Sequence, residues 1–156
     1  MWLMFKFWFW RFTALVKGVE SMNFEAIDVV VGIVLDGDSF LVERRRLDDK
    51  VDPSVVCLPG GHVRVCEGLG KALEGEMLEE LGIRVKGFRF VCRNFYVASN
   101  CERQNAYCFL VTDYEGAPFS RAAEEIFWED DVDKLSLEVD RKTIRKTKSF
   151  FVLKAR

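Results

Sequence analysis

The amino-acid sequence predicts one α+β domain. Three observations support this class: the chain has 156 residues, 49% of them are apolar, and strand-like apolar runs alternate with segments of helical spacing. A chain of this length and apolar share can fill one hydrophobic core. The sequence shows no internal repeat after residue 20, so we expect a single folded unit.

A β-hairpin is predicted near the start of this unit. Residues 26–35 are apolar and rich in β-branched side chains, residues 36–39 read Asp-Gly-Asp-Ser, and residues 40–46 return to a strand pattern. Aspartate and glycine between two such runs are typical of a hairpin turn. A short apolar run at residues 55–58 then ends in Pro59-Gly60-Gly61, which predicts a tight turn.

The central helix is predicted over residues 70–81. Leu73, Met77 and Leu81 recur every four residues, and Gly82 stands where a helix often ends. Further strands are predicted at residues 85–97, 106–112 and 125–128. Asp140 is the expected N-cap of a terminal helix.

Residues 1–21 form a separate N-terminal extension, and the folded domain is expected over residues 22–156. The first 17 residues contain seven aromatic side chains and are interrupted by Lys6 and Arg11. This run is shorter than a membrane span. We favour an element packed on the domain, or an extension ahead of a start at Met22, over an interfacial membrane anchor formed by residues 1–17.

Charge and cysteine usage limit the partners and the compartment. Lysine and arginine total 23 against 25 acidic residues, so the net charge of −2 does not favour a nucleic-acid partner. The five cysteines are odd in number and lack paired CxxC spacing, which fits a reducing cytoplasm. A monomer and a homodimer are both compatible with the sequence.

Three glutamates on the predicted helix form the main candidate site. Glu76, Glu79 and Glu80 stand at i, i+3 and i+4, so their carboxylates share one face and repel one another. A hard cation such as Mg²⁺, with Mn²⁺ as the alternative, would relieve that repulsion. A solvated acidic face is the alternative, but the preceding Gly60-Gly61 pair favours close approach of a ligand to the backbone.

The segment from Gly61 to Ile83, GHVRVCEGLGKALEGEMLEELGI, resembles the Nudix box of MutT-like hydrolases. Eight of the nine specified box positions match, at the right spacing: Gly61, Glu67, Glu76, Met77, Glu79, Glu80, Gly82 and Ile83. The resemblance implies an α/β/α sandwich around a mixed β-sheet. It also implies magnesium-dependent cleavage of the diphosphate linkage of a nucleoside diphosphate derivative, such as a nucleoside triphosphate or an oxidised nucleotide.

The same resemblance implies roles for individual residues. Glu76, Glu79 and Glu80 would hold the metal together with the Gly60 carbonyl, and Glu67 would support them. Water would attack phosphorus, with Glu76, Glu124 or Glu125 as the catalytic base. Gly60 and Gly61 would contact the substrate, as would the guanidinium groups of Arg44 and Arg45, for which solvation at a strand end is the alternative reading.

One box position departs from the pattern, because Gly75 stands where the family has an arginine that pairs with the glutamates. We expect Lys71 or Arg64 to supply the missing positive charge. Two functions therefore follow from the sequence: an active hydrolase, or a catalytically weakened Nudix-fold module that binds or senses a nucleotide.

Overall fold

The computed structural model describes residues 25–152, with side chains from 25 to 150. The predicted extension at residues 1–21 lies outside this range. The strands are β1 (Ile27–Ile33), β2 (Leu35–Asp36), β3 (Ser39–Arg44), β4 (Val56–Cys57), β5 (Gly60–His62), β6 (Arg84–Val97), β7 (Arg103–Glu115) and β8 (Glu125–Glu129). The helices are α1 (Leu69–Leu81), a 3-10 turn (Val132–Lys134) and α2 (Glu138–Val152).

The strands form two sheets. The first has the order β5-β1-β7-β6, in which β1 and β7 run parallel and the other pairs are antiparallel. In the second, β8 pairs antiparallel along one edge of β3, while β2 and β4 pair with the start and the end of its other edge. The predicted hairpin turn is confirmed, with Gly37 at a positive φ of 60°, but only the two residues of β2 pair with β3, because β1 belongs to the first sheet.

Alternation along β1 and β3 creates a core on each side of the strands. Val29 and Ile33 of β1 pack with Ile144 of α2, whereas Val30 packs with Leu73 of α1. Each helix therefore covers its own face of the strands. The predicted sandwich of helices around a mixed sheet is confirmed.

Helix α1 begins one residue before the predicted start and ends where the sequence indicates. Gly82 has φ 69°, and its N–H donates to the Leu78 carbonyl. The N–H of Ile83 reaches back to the Met77 carbonyl at 3.3 Å. This left-handed C-terminus satisfies carbonyls of the last turn and fixes the direction in which the chain leaves the helix.

The predicted N-cap of the terminal helix is wrong. Helix α2 begins at Glu138, so Asp140 lies inside its first turn. The Asp140 side chain accepts a hydrogen bond from the backbone N–H of Leu58 instead of capping its own helix. A tertiary contact with a residue 82 positions away thus replaces the local contact that the sequence favours.

Neither helix within residues 25–152 combines the length and the apolar character needed to cross a membrane.

Candidate active site

Helix α1 and strand β5 meet at the predicted glutamates. The backbone N–H of Gly60 donates to Glu80 Oε2 at 3.0 Å. Gly61 lies so close to the Glu76 carboxylate that a β-carbon on residue 61 would overlap it. The glycine pair therefore lets two carboxylates of the helix rest directly against the strand backbone.

A further carboxylate, Glu43, joins this group from β3 and was missed by the sequence analysis. Leu41 packs in the core beside α1, and alternation directs Glu43 to the same face. Glu43 is only 4% exposed, and the Cys57 thiol lies 3.6 Å from its Oε1. A glutamate on the inward face of a strand is the signal in the sequence that could have identified it.

The pKa values of these carboxyl groups are raised by burial first and by their neighbouring carboxylates second. Burial raises the pKa of Glu80, and the carboxylates of Glu43 and Glu76 raise it further. Burial also raises the pKa of Glu43, partly offset by the guanidinium of Arg45. The pKa of Glu76 rises because of burial and because of Glu79. Burial and mutual repulsion thus disfavour the ionised carboxylates more than the neighbouring arginines favour them.

Arg64 in the loop before α1 approaches two of the predicted glutamates. Its Nη2 lies 3.2 Å from Glu79 Oε1, and its backbone N–H donates to Glu67 Oε2 at 3.0 Å. Lys71 is exposed. A β-carbon at Gly75 would meet open space, so no neighbour fills the position of the box arginine. Of the two cations predicted to supply the missing charge, Arg64 is the one with an ion pair to a glutamate.

The donor atoms of this cluster suit a hard divalent cation. Buried or half-buried carboxylates with raised pKa values gain most from such an ion, and their oxygen ligands are the type that Mg²⁺ and Mn²⁺ prefer. Within the described part of the chain, no three acidic, histidine or cysteine side chains already converge as metal ligands. Glu79 is turned toward Arg64 and Glu80 toward Gly60.

A cleft of about 400 Å³ opens beside the glutamates. One set of residues, the acidic wall, contributes charge and exposed backbone: Arg45, Gly60, Gly61, Arg64, Glu76 and Glu80. The other set, the mixed wall, comes from the β3–β4 loop (residues 45–55), β6 and the start of α2: Val51, Asp52, Val55, Tyr96, Leu137, Val139 and Asp140. The cleft therefore joins a charged surface to a largely apolar one that carries a few polar groups.

Asp140 is the buried acid of the mixed wall, and its role was also missed from the sequence. The Leu58 N–H donates to its Oδ2 at 3.1 Å, and the residue is 6% exposed. Burial raises its pKa to about 7, above the ordinary value of 3.8. Near neutral pH its carboxyl is therefore divided between a protonated form, which can donate a hydrogen bond, and an ionised form, which only accepts.

This burial predicts a pH-dependent stability difference between the wild type and Asp140→Asn. The folded wild type holds its proton to a higher pH than the unfolded chain does. The wild type should lose stability relative to the variant as the pH rises from about 4 to about 7, by up to about 4 kcal/mol, and the difference should level off above that. Urea unfolding of both proteins at several pH values measures this difference in unfolding free energy. A difference that stays constant with pH would show that the pKa of Asp140 is not raised by burial.

The structure brings some predicted residues to the cleft and leaves others outside it. Arg45, Gly60, Gly61, Glu76 and Glu80 line it. Arg44 and Glu125 do not: alternation directs Arg44 away from Glu43, and its Nε lies 2.7 Å from Glu125 Oε1. Pairing between β3 and β8 thus joins these two predicted site residues to each other, away from the acidic wall.

Comparisons with known proteins identify the family to which this fold belongs. The family model for the NUDIX domain matches residues 26–147. An 8-oxo-dGTP diphosphatase from Buchnera aphidicola subsp. Schizaphis graminum (strain Sg) is 26% identical over 102 residues, which is 65% of this chain and 75% of that protein.

Solved structures share the fold at lower identity. The MutT NUDIX hydrolase from Burkholderia pseudomallei has a TM-score of 0.70 and 21% identity, covering 78% of this chain and 98% of that one. The NUDIX domain of Shewanella oneidensis NrtR, solved with ADP ribose, has a TM-score of 0.66 and 14% identity, covering 88% and 97%.

The fold and the family match define a hydrolase of phosphorus-containing anhydrides, a pyrophosphohydrolase. The chain belongs to the Nudix family. Members of this family generally use divalent metal ions and act on nucleotide derivatives.

Proposed function

We propose that the protein hydrolyses the diphosphate linkage of a nucleoside triphosphate, ordinary or oxidised, with Mg²⁺ as its metal and Mn²⁺ as a substitute. The observation that carries this proposal is the cleft, which joins the acidic wall to a mixed wall large enough for a ring system. Similarity to an 8-oxo-dGTP diphosphatase supports an oxidised nucleotide as one substrate.

The acidic wall is the proposed phosphate side. We assign the metal to Glu76, Glu79 and Glu80 with the Gly60 carbonyl, and a supporting role to Glu67. A divalent cation bound there would offset charge on the phosphoryl oxygens. Glu76 is also our choice for the base, since Glu125 is paired with Arg44 outside the cleft.

Arg45 is the proposed phosphate-binding cation. It lines the cleft, and its Nε is buried without a hydrogen-bond partner, 3.5 Å from Asp49 Oδ2. A guanidinium at the edge of a cleft offers a fork of N–H donors that suits phosphate oxygens. We assign to Arg64 the charge that the family places at position 75, and Arg64→Ala should therefore weaken metal binding as well as turnover.

The mixed wall is the proposed nucleoside side. Val51, Leu137 and Val139 offer apolar surface to a base. Asp140 adds one buried carboxyl whose pKa of about 7 permits either donation or acceptance of a hydrogen bond. A few polar groups within an apolar surface are the usual means by which a pocket orients a ring.

A substrate panel with and without metal tests this function. The panel contains ordinary and oxidised nucleoside triphosphates and ADP-ribose, each with Mg²⁺, with Mn²⁺ or with a chelator, and release of phosphate or pyrophosphate is measured. We expect turnover of at least one triphosphate that the chelator abolishes. Turnover that persists in the chelator would contradict the assigned metal.

A second outcome of the same panel would support the alternative function. Tight binding of a nucleotide without product release would identify a Nudix-fold binding or sensor module, for which Gly75 is the structural reason. We also propose a cytoplasmic location, because all five cysteines are free thiols and three of them are buried.

A further inference from the structure

The β3–β4 loop is tied to the opposite edge of the cleft at Asp52. The Asp52 N–H donates to Ser99 Oγ at 2.8 Å, and the Ser99 N–H donates back to Asp52 Oδ1 at 2.9 Å. The Tyr96 hydroxyl donates to Asp52 Oδ2 at 2.8 Å. Both carboxylate oxygens and the backbone of one loop residue are thus used in a contact that spans 44 to 47 positions of sequence.

This contact is the loop's main attachment to the rest of the cleft. The ends of the loop are closed by a hydrogen bond from Arg45 N–H to the Val55 carbonyl. In the described structure, the hydrogen bonds that join residues 47–54 to residues outside the loop all involve Asp52. The position of the middle of the loop therefore depends on Asp52, Tyr96 and Ser99.

The loop backbone is held in a conformation that side chains disfavour. Asp52 has φ 48° and Ser54 has φ 61°, both in the left-handed region and neither a glycine. Such residues persist where surrounding contacts over-determine their conformation. The three hydrogen bonds at Asp52, a residue that is 9% exposed, provide that constraint at position 52, and the Ser54 N–H donates to the Arg46 carbonyl at 3.3 Å.

The tied residues are also wall residues. Val51, Asp52 and Val55 of the loop and Tyr96 of β6 line the cleft on the mixed wall. Burial raises the pKa of the Tyr96 phenol and the hydrogen bond to Asp52 raises it further, so the hydroxyl keeps its proton and remains the donor. Release of the contact would let one side of this wall move away from the others.

We propose that Asp52, Tyr96 and Ser99 form a latch that holds the β3–β4 loop closed over the mixed wall, and that Asp52 thereby determines specificity for the nucleoside part of the substrate. This role rests on the proposed function. None of the three residues belongs to the acidic wall, so the latch acts on binding of the substrate and leaves the hydrolytic step unchanged. If a substrate binds only when the loop is closed, its apparent Kd is the intrinsic Kd divided by the fraction of protein molecules whose loop is closed.

The first test measures loop opening in the full chain without any substrate. Trypsin can cut after Arg46 or Lys50, both exposed in the loop, and intact mass identifies these products. Tyr96→Phe removes only the hydroxyl and should speed cleavage there by about 3- to 10-fold, the shift expected from losing one partly buried hydrogen bond. Tyr114→Phe removes the same atom from a residue that does not line the cleft and serves as the matched control.

Asp52→Asn provides a second variant that tolerates the left-handed backbone and keeps one oxygen for the Ser99 N–H. We expect Asp52→Asn to accelerate cleavage by a smaller factor than the double variant Tyr96→Phe/Ser99→Ala does. Wild-type cleavage rates in both Tyr96→Phe and that double variant would overturn the latch. Because this assay needs no turnover, it can succeed or fail independently of the proposed function.

The second test uses a triphosphate that the wild type hydrolyses. Tyr96→Phe should raise KM by no more than the factor by which cleavage accelerates, with kcat within about twofold of the wild type. A large fall in kcat with unchanged KM would overturn the proposal, since it would place the contact in the hydrolytic step.

Discussion

Glu80→Gln is expected to lower kcat/KM at least about 100-fold, the loss typical when one preorganised electrostatic group is removed from an active site. Glutamine has the same shape, and its amide oxygen can still accept the hydrogen bond from the Gly60 N–H. The substitution therefore removes the charge while leaving the contact between α1 and β5 in place. Steady-state kinetics with a triphosphate and Mg²⁺ measures the effect.

Stability should change in the opposite direction. Burial and two neighbouring carboxylates raise the pKa of Glu80, so without metal a neutral glutamine is easier to bury than the ionised acid. We expect the variant to equal or exceed the wild type in Tm without metal, and to lack the increase in Tm that we expect Mn²⁺ to give the wild type.

The matched control is Glu74→Gln, which changes an exposed glutamate on the same helix that does not line the cleft. Its turnover should remain within about twofold of the wild type. If Glu80→Gln also kept turnover near the wild-type value, the assignment of Glu80 to the metal would be wrong.

The parts of the site that the sequence predicted are those fixed by local geometry. Glu76 and Glu80 share a helix face because α-helical spacing places residues i and i+4 together, and Gly82 ends that helix through its own backbone conformation. Both inferences need only neighbouring residues. The family resemblance then supplied the fold, which the family match confirms.

The parts that the sequence did not predict depend on contacts between distant elements. Glu43 reaches the acidic cluster because β3 lies beside α1 in the core, and Asp140 reaches the cleft because α2 crosses near Leu58. The Asp140 contact has no local signal, and Glu43 is marked only by its place on the inward face of a strand. The pairing of Arg44 with Glu125 likewise follows from the register of β3 against β8, which cannot be read from either strand alone.

The two walls of the cleft also differ in how they are held in place. The acidic wall depends on α1, on the glycine pair of β5, and on Arg45 and Arg64 beside them. The mixed wall includes a loop held by the Asp52 contact and the first turn of α2. Loops on a rigid scaffold are where substrate preference usually varies, so changes in the mixed wall should alter which nucleoside binds more than how the linkage is cleaved.

The glycine pair offers a second test with a large expected effect, because the two glycines face different neighbours. A β-carbon at position 60 would overlap the Val30 carbonyl in the backbone of β1, whereas one at position 61 would overlap the Glu76 carboxylate. A backbone carbonyl in a paired strand cannot move without disturbing the sheet, but a carboxylate can rotate away.

Gly60→Ala should therefore act on stability and Gly61→Ala on activity. We expect Gly60→Ala to lower the free energy of unfolding by about 1–3 kcal/mol or more, as overpacking does in a closely packed core. Gly61→Ala should cost less stability but lower kcat/KM about 100-fold. The new β-carbon would displace the Glu76 carboxylate, and a displacement of about 1 Å in an active site can cost about that much rate. Urea unfolding and steady-state kinetics on the same preparations separate the two effects.

Gly68→Ala is the control for both variants. A β-carbon at Gly68 meets no atom within 4 Å, and its φ of −77° is accessible to alanine. This change in the same stretch of chain should leave turnover unaltered and cost at most about 1 kcal/mol of stability through the helix N-cap. Wild-type turnover in Gly61→Ala would show that Glu76 need not rest against β5, and the role of the second glycine would then be confined to the strand itself.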